Sequence, residues 1–123
     1  MRIISMIALV MTTVFCSAQK AEFVALESTY KFPNTNEGTV LKHDFSFVNN
    51  GTEPLIFTGY SVQCTCTKVE VPKQPIAPGQ KGVIKVTFDT EGRSFYQDRT
   101  IELNVNTKKK VEKIRFKVYV EPK

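Results

Sequence analysis

Alternation with a period of two restricts this chain more than any other feature. In Val40–Val48, VLKHDFSFV, the side chains of Leu41, His43, Phe45 and Phe47 fall on one face and those of Lys42, Asp44 and Ser46 on the other. Successive side chains of a strand point to opposite sides, so such a run is a strand with one dry face and one wet face. The last third repeats the pattern, with Ile84, Val86 and Phe88 sharing a face, then Ile101, Leu103 and Val105, then Ile114, Phe116, Val118 and Val120. Shorter strands are expected at Glu22–Leu26, Thr29–Phe32, Leu55–Thr58 and Tyr60–Thr67, with a bulge or bend at Gly59. Pro33–Gly38, Asn49–Pro54, Glu91–Ser94 and Thr107–Lys110 read as turns or loops. In the second of these, Asn50 and Gly51 are residues that tolerate positive φ, which explains the local Asn-Gly-Thr better than its match to a glycosylation sequon does. Pro72, Pro75 and Pro78 make VPKQPIAPGQKG a connecting loop, because proline cannot donate to a central ladder. About seven strands of this length and spacing form an all-β, two-sheet antiparallel sandwich, each sheet burying one face.

The opening MRIISMIALVMTTVFCSAQK differs from everything after it. Arg2 supplies a positive start, Ile3–Phe15 is an apolar run too short to span a bilayer, and Cys16-Ser17-Ala18 offers small residues before a cut. Residues 1–18 are therefore expected to be a secretory signal peptide, and residues 19–123 a single domain in the periplasm or outside the cell. Lipidation at Cys16 is disfavoured, since the bulky Phe15 precedes it. Cleavage after Ala18 would leave 105 of the 123 residues, 16 basic against 12 acidic side chains, no methionine, and Cys64 and Cys66 as the sole sulfur atoms. A chain of that size closes a core without disulfide staples, and no later stretch is apolar enough for a membrane span.

Several residues together carry a resemblance. They are His43, Phe45, Phe47, Asn49 and Gly51; Pro54-Leu55; Cys64-Thr65-Cys66-Thr67; Pro75-Ile76-Ala77-Pro78-Gly79; and Val86-Thr87-Phe88-Asp89. In this order, over about residues 37–107, the chain resembles a family of secreted immunoglobulin-like domains of unknown function found mostly in Bacteroidetes, whose usual pattern includes Ser-Cys-Gly-Cys-Thr. The resemblance implies an immunoglobulin-like sandwich and no particular activity. Two positions depart from the pattern: Thr65 replaces the glycine and Gln63 the serine. A glycine serving an unusual backbone angle would be poorly replaced by a β-branched residue.

Three readings of Cys64 and Cys66 stay open. On a flat strand, residues two apart have Cα atoms about 6.5 Å apart, whereas a bridge wants Cβ atoms about 3.8 Å apart. A Cys64–Cys66 disulfide therefore requires a kink. It would then serve structure, or thiol redox chemistry. Parallel thiolates could instead hold copper, or zinc with His43 or a partner's ligand, although a lone histidine among phenylalanines is more often a hydrogen-bonded core residue. The run Lys108, Lys109, Lys110, Lys113, Arg115 and Lys117 is a candidate anion-binding face, or a solvated face that discourages edge aggregation. Export argues against nucleic acid as its partner. With no paired carboxylates, phosphate loop or nucleophile elbow, the chain is expected to be a non-enzymatic binding or assembly module of the cell envelope, needing no cofactor. Its partner would be another envelope or extracellular protein; the alternative is a redox or soft-metal site at the Cys-x-Cys.

Overall fold

Each alternating run becomes a strand, and the dry faces oppose one another. A computed structural model describes residues 20–123, so the expected signal peptide lies outside the described residues. Nine strands occur among them: β1 (Phe23–Ala25), β2 (Thr29–Lys31), β3 (Thr35–Asn36), β4 (Val40–Asn49), β5 (Phe57–Ser61), β6 (Thr67–Glu70), β7 (Lys81–Asp89), β8 (Phe95–Val105) and β9 (Val111–Glu121). One sheet has the order β1-β4-β7-β6 and the other β2-β9-β8-β5, with β3 also on β9. Every ladder is antiparallel except those of β2 and β3 with β9. The chain changes sheets between β1 and β2, where Leu26 N still donates to Ser46 O of the first sheet (3.0 Å) and Ser28 O already accepts from Arg115 N of the second (2.8 Å). The result is an all-β, immunoglobulin-like sandwich.

Between the sheets, Phe45, Phe47, Ile84, Val86 and Phe88 meet Ile101, Leu103, Ile114, Phe116, Val118 and Val120, all at 2% exposure or less. Burial of each such side chain stabilises the fold by about 1.5–3 kcal/mol. Their wet-face neighbours Lys42, Asp44, Lys85, Glu102, Lys113 and Arg115 are exposed, as the alternation requires.

Four expectations need correction. The count is nine where about seven were expected: β1 and β2 fall in the two short strands expected near the start, whereas β3 lies in the stretch Pro33–Gly38 that was expected to be a loop. Leu55 makes only an isolated bridge to Ile76; the strand proper is Phe57–Ser61, and its register shifts between Phe57 and Gly59, where a bulge was expected. The expected strand Tyr60–Thr67 is cut in two: Tyr60 and Ser61 finish β5, Thr67 starts β6, and both cysteines lie in the turn between them. A strand cannot remain straight there, because β5 and β6 belong to different sheets. Finally, Gly51 is not among the residues with positive φ. It is needed because the chain before β1 passes against it: a Cβ there would lie 2.2 Å from Lys20 O and 2.6 Å from Glu22 N.

Asn49 fixes that same end. It is fully buried, and its amide is saturated: Oδ1 accepts from Glu22 N (3.2 Å) and Gly51 N (3.0 Å), while Nδ2 donates to Glu53 O (2.8 Å) and Ile76 O (2.9 Å). One side chain thus ties together the N-terminal segment, the turn after β4 and the proline-rich loop.

Candidate functional site

The crossover turn between β5 and β6 carries the Cys-x-Cys. Thr67 N donates to Cys64 O (3.3 Å), closing a turn that brings the two Cα atoms to 5.3 Å, and the two sulfurs are joined in a disulfide. The kink required by the strand geometry is therefore present. Asp89 N donates to Cys66 O (2.9 Å), which ties the turn to the end of β7, and Cys66 packs against the core while staying partly exposed. Thr65, at the position where the resembled pattern led to an expectation of glycine, is not among the residues with positive φ, so no left-handed backbone there requires glycine.

Beside the turn is an open cleft of about 350 Å³ lined by Val40, Thr65, Cys66, Lys68, Thr87, Asp89, Glu91 and Arg93. Its acids are partly engaged. Asp89 Oδ1 accepts from Glu91 N (3.0 Å), and Glu91 pairs with Lys123 Nζ at 2.9 Å, an arrangement that raises the Lys123 pKa chiefly through that hydrogen bond. Lys68 and Arg93 bring positive charge to the rim where Cys66 is reached.

His43 is placed elsewhere. Its ring stacks on Tyr30 with centroids 3.6 Å apart, meets Phe45 edge-on at 4.8 Å, and its Nε2 hydrogen-bonds Glu27. It is a packed, hydrogen-bonded histidine at the seam between the sheets, and it does not line the cysteine cleft. A copper or zinc site would need free thiolates and a further donor; here the sulfurs are bonded to each other, and the described residues gather no three histidine, cysteine or carboxylate side chains into a metal-binding group.

The basic run is divided by the fold. Lys108 and Lys109 line a separate cleft of about 630 Å³ with Lys20 and Glu112, and Lys110 takes positive φ in the turn before β9. On the outer face of β9, acids from β8 alternate with the cations: Lys113 is paired in register with Glu102, Lys117 with Asp98, and Arg115 forms a two-pronged ion pair with Asp98 (Nε to Oδ1 2.7 Å). The Arg115 hydrogen bond, ahead of its charge, holds the Asp98 carboxyl below the ordinary carboxylate value. A carboxyl lowered in the folded state stabilises the fold above its unfolded value, near pH 3.9, and loses that contribution as pH falls through the folded value. The unfolding midpoint is accordingly expected to decline slightly more steeply with acid in the wild type than in Asp98→Asn, the effect being small because the pair is solvent-exposed; parallel acid profiles would contradict it.

One residue of interest lacked any motif. Arg99 follows the inward parity of Ile101 and Leu103, so its side chain turns toward the sandwich interior at the end where β5 no longer covers β8. Its Nη2 donates to Gln97 Oε1 (2.7 Å), and its Nε is buried with no hydrogen-bond partner. Alternation alone would have found it: a cation in register with buried leucine and isoleucine.

Fold and site together define an immunoglobulin-like sandwich with a disulfide-closed crossover turn. Residues 23–120 match the family described as a protein of unknown function, DUF1573, and the chain belongs to that family. Among solved structures it is similar to a Porphyromonas gingivalis W83 protein of unknown function, with a TM-score of 0.71 and 16% identity over 86% of this chain and 50% of the other. It is also similar to the Vibrio cholerae VesB protease (TM-score 0.60, 13% identity, 83% of this chain and 32% of the protease). The ASH/PapD-like domain 7 of human CEP192 aligns over 99% of this chain and 98% of its own length, with a TM-score of 0.55 and 15% identity. The chain spans about half the length of the Porphyromonas protein and a third of the protease, and at these identities the likeness concerns the fold. No curated protein matches it in sequence.

Proposed function

We propose that this domain is an exported binding or assembly module of the cell envelope, acting through its surface on another protein rather than by catalysis. The observation that carries the reading is the placement of large aromatic side chains outside an interior already full of them. Phe95 and Tyr96, adjacent at the start of β8, are 59% and 55% exposed. Adjacent solvent-facing aromatics on a rigid strand are favoured contacts for protein partners. The PapD-like likeness of the fold supports the same reading, by analogy of architecture. Affinity capture from the envelope fraction tests it: wild-type protein is expected to retain one partner in stoichiometric amount, and Phe95→Ser/Tyr96→Ser to lose it. Retention of nothing by either protein would contradict the proposal.

A second reading, thiol redox activity, is favoured by the position of Cys66 on a cleft whose rim includes Lys68 and Arg93, since neighbouring cations stabilise a thiolate. It predicts exchange with glutathione that slows when Lys68 and Arg93 are both changed to glutamine.

A further inference from the structure

Beside β8, the strand β5 fills only half of its lane. Their pairing runs from Phe57 opposite Val105 to Ser61 opposite Glu102, where the chain leaves for the other sheet. On its opposite side β8 is paired with β9 from Phe95 to Asn104 without interruption. Residues Phe95–Thr100 thus have no strand neighbour on the β5 side among the described residues.

The pleat tells which backbone groups face the gap. Within a strand, N–H and C=O of one residue point to the same side, and successive residues alternate. Val105 N donates to Lys110 O, toward β9, whereas Asn106 N donates to Ile56 O and Thr100 N to Gln63 Oε1 (3.3 Å), toward the β5 lane. Even-numbered residues therefore face the lane. Tyr96 and Asp98 present both N–H and C=O to it, and Thr100 presents its C=O beside an amide already capped by the crossover turn. Such a row of unmet backbone groups is a template for strand addition.

The side chains along the lane state what would fit. Phe95 and Tyr96 stand exposed at its head, with Phe95 held at φ 68°, an uncommon conformation for a bulky residue. On the interior side are Gln97 and Arg99, and Arg99 Nε is buried without an acceptor. No ion pair among the described residues involves Arg99. A second copy of the chain fits poorly, since antiparallel pairing of two such lanes centred on Asp98 sets one Asp98 against the other.

We infer that this half-lane binds an extended acidic segment of a partner protein by strand addition, the segment pairing with Tyr96 and Asp98 and placing a carboxylate against Arg99. The inference rests on the binding-module reading and narrows it to one edge and one partner chemistry.

The capped peptide Thr-Glu-Val-Glu-Val-Thr serves as the probe, with its Glu→Lys counterpart and a version N-methylated at alternate amides as controls. Titration into the ¹⁵N-labelled protein is expected to shift the amide signals of Tyr96, Asp98 and Thr100 and to slow exchange of the first two amides by about tenfold or more. Arg99→Gln should weaken the peptide by about tenfold, the scale of one charge-assisted contact, and neither control peptide should bind. The Tyr96→Pro variant removes a lane-facing N–H without touching the β9 ladder and should also fail to bind; the N-methylated peptide repeats that test in the wild type. No shift at millimolar peptide, equal binding of the lysine peptide, or shifts confined to β1 or β6 would overturn the inference. So would an envelope partner captured equally by wild type and Tyr96→Pro, and that result would leave the broader binding reading standing.

Discussion

Asn49→Ala is expected to lower the unfolding free energy by about 4 kcal/mol, because it strands several buried backbone groups at once at about 1 kcal/mol or more apiece. The groups are Glu22 N, Gly51 N, Glu53 O and Ile76 O; backbone hydrogen bonds such as Asn50 N to Glu22 O also join these segments, and Ile76 O keeps a second donor in Leu55 N, so the loss falls chiefly on the other three. Asn49→Asp separates the donor and acceptor halves of the role. It keeps an oxygen for the two N–H groups but sets a carboxylate against the carbonyls of Glu53 and Ile76, so its deficit should shrink at acid pH, where the protonated carboxyl can donate once. Urea denaturation reads both effects. A loss under about 1 kcal/mol for the alanine variant would mean that water replaces the amide at this site.

The second large effect lies at the centre of the sandwich. Phe116 is fully buried on β9, with the rings of Phe88 at 5.1 Å and Phe32 at 5.8 Å, so it joins both sheets to the strap before β3. Phe116→Ala should cost about 4 kcal/mol, the range for removing a buried ring and leaving a cavity, whereas Phe116→Leu should cost about 1.5 kcal/mol or less. Domains of this size have a total stability of about 5–15 kcal/mol, so the alanine variant would lose about a quarter to four-fifths of it. A loss below about 2 kcal/mol would show that the interior collapses around the gap.

These two residues also show how far the sequence can be read. Phe116 was legible, as were the inward faces of β4, β7, β8 and β9, because burial imposes a strict period of two on long strands. The short β1 and β2 were legible as strands and β3 was not; all three carry too few residues for a period, so their place in the sheets is set by the long strands they lean on. Asn49 was visible as part of a motif, but its four partners are distant in the chain and only the fold brings them together. The Cys-x-Cys was read as the end of a strand, although the change of sheet between β5 and β6 forces a turn there. The basic run looked continuous because the acids that divide it, Asp98 and Glu102, come from the neighbouring strand. Parity alone marks Arg99 as inward, yet the unpaired lane beside it depends on where β5 stops.

In the proposed function, Cys64 and Cys66 brace the crossover turn while the surface does the binding. Denaturant unfolding of Cys64→Ser/Cys66→Ser, compared with the oxidised wild type, tests it most directly. A three-residue disulfide loop limits the unfolded chain modestly, so a loss of about 1–2 kcal/mol is expected, with the mutant still folded as the same sandwich. Unchanged stability in the variant, together with rapid thiol–disulfide exchange of the wild type with glutathione, would contradict the claim and give the cysteines a chemical role.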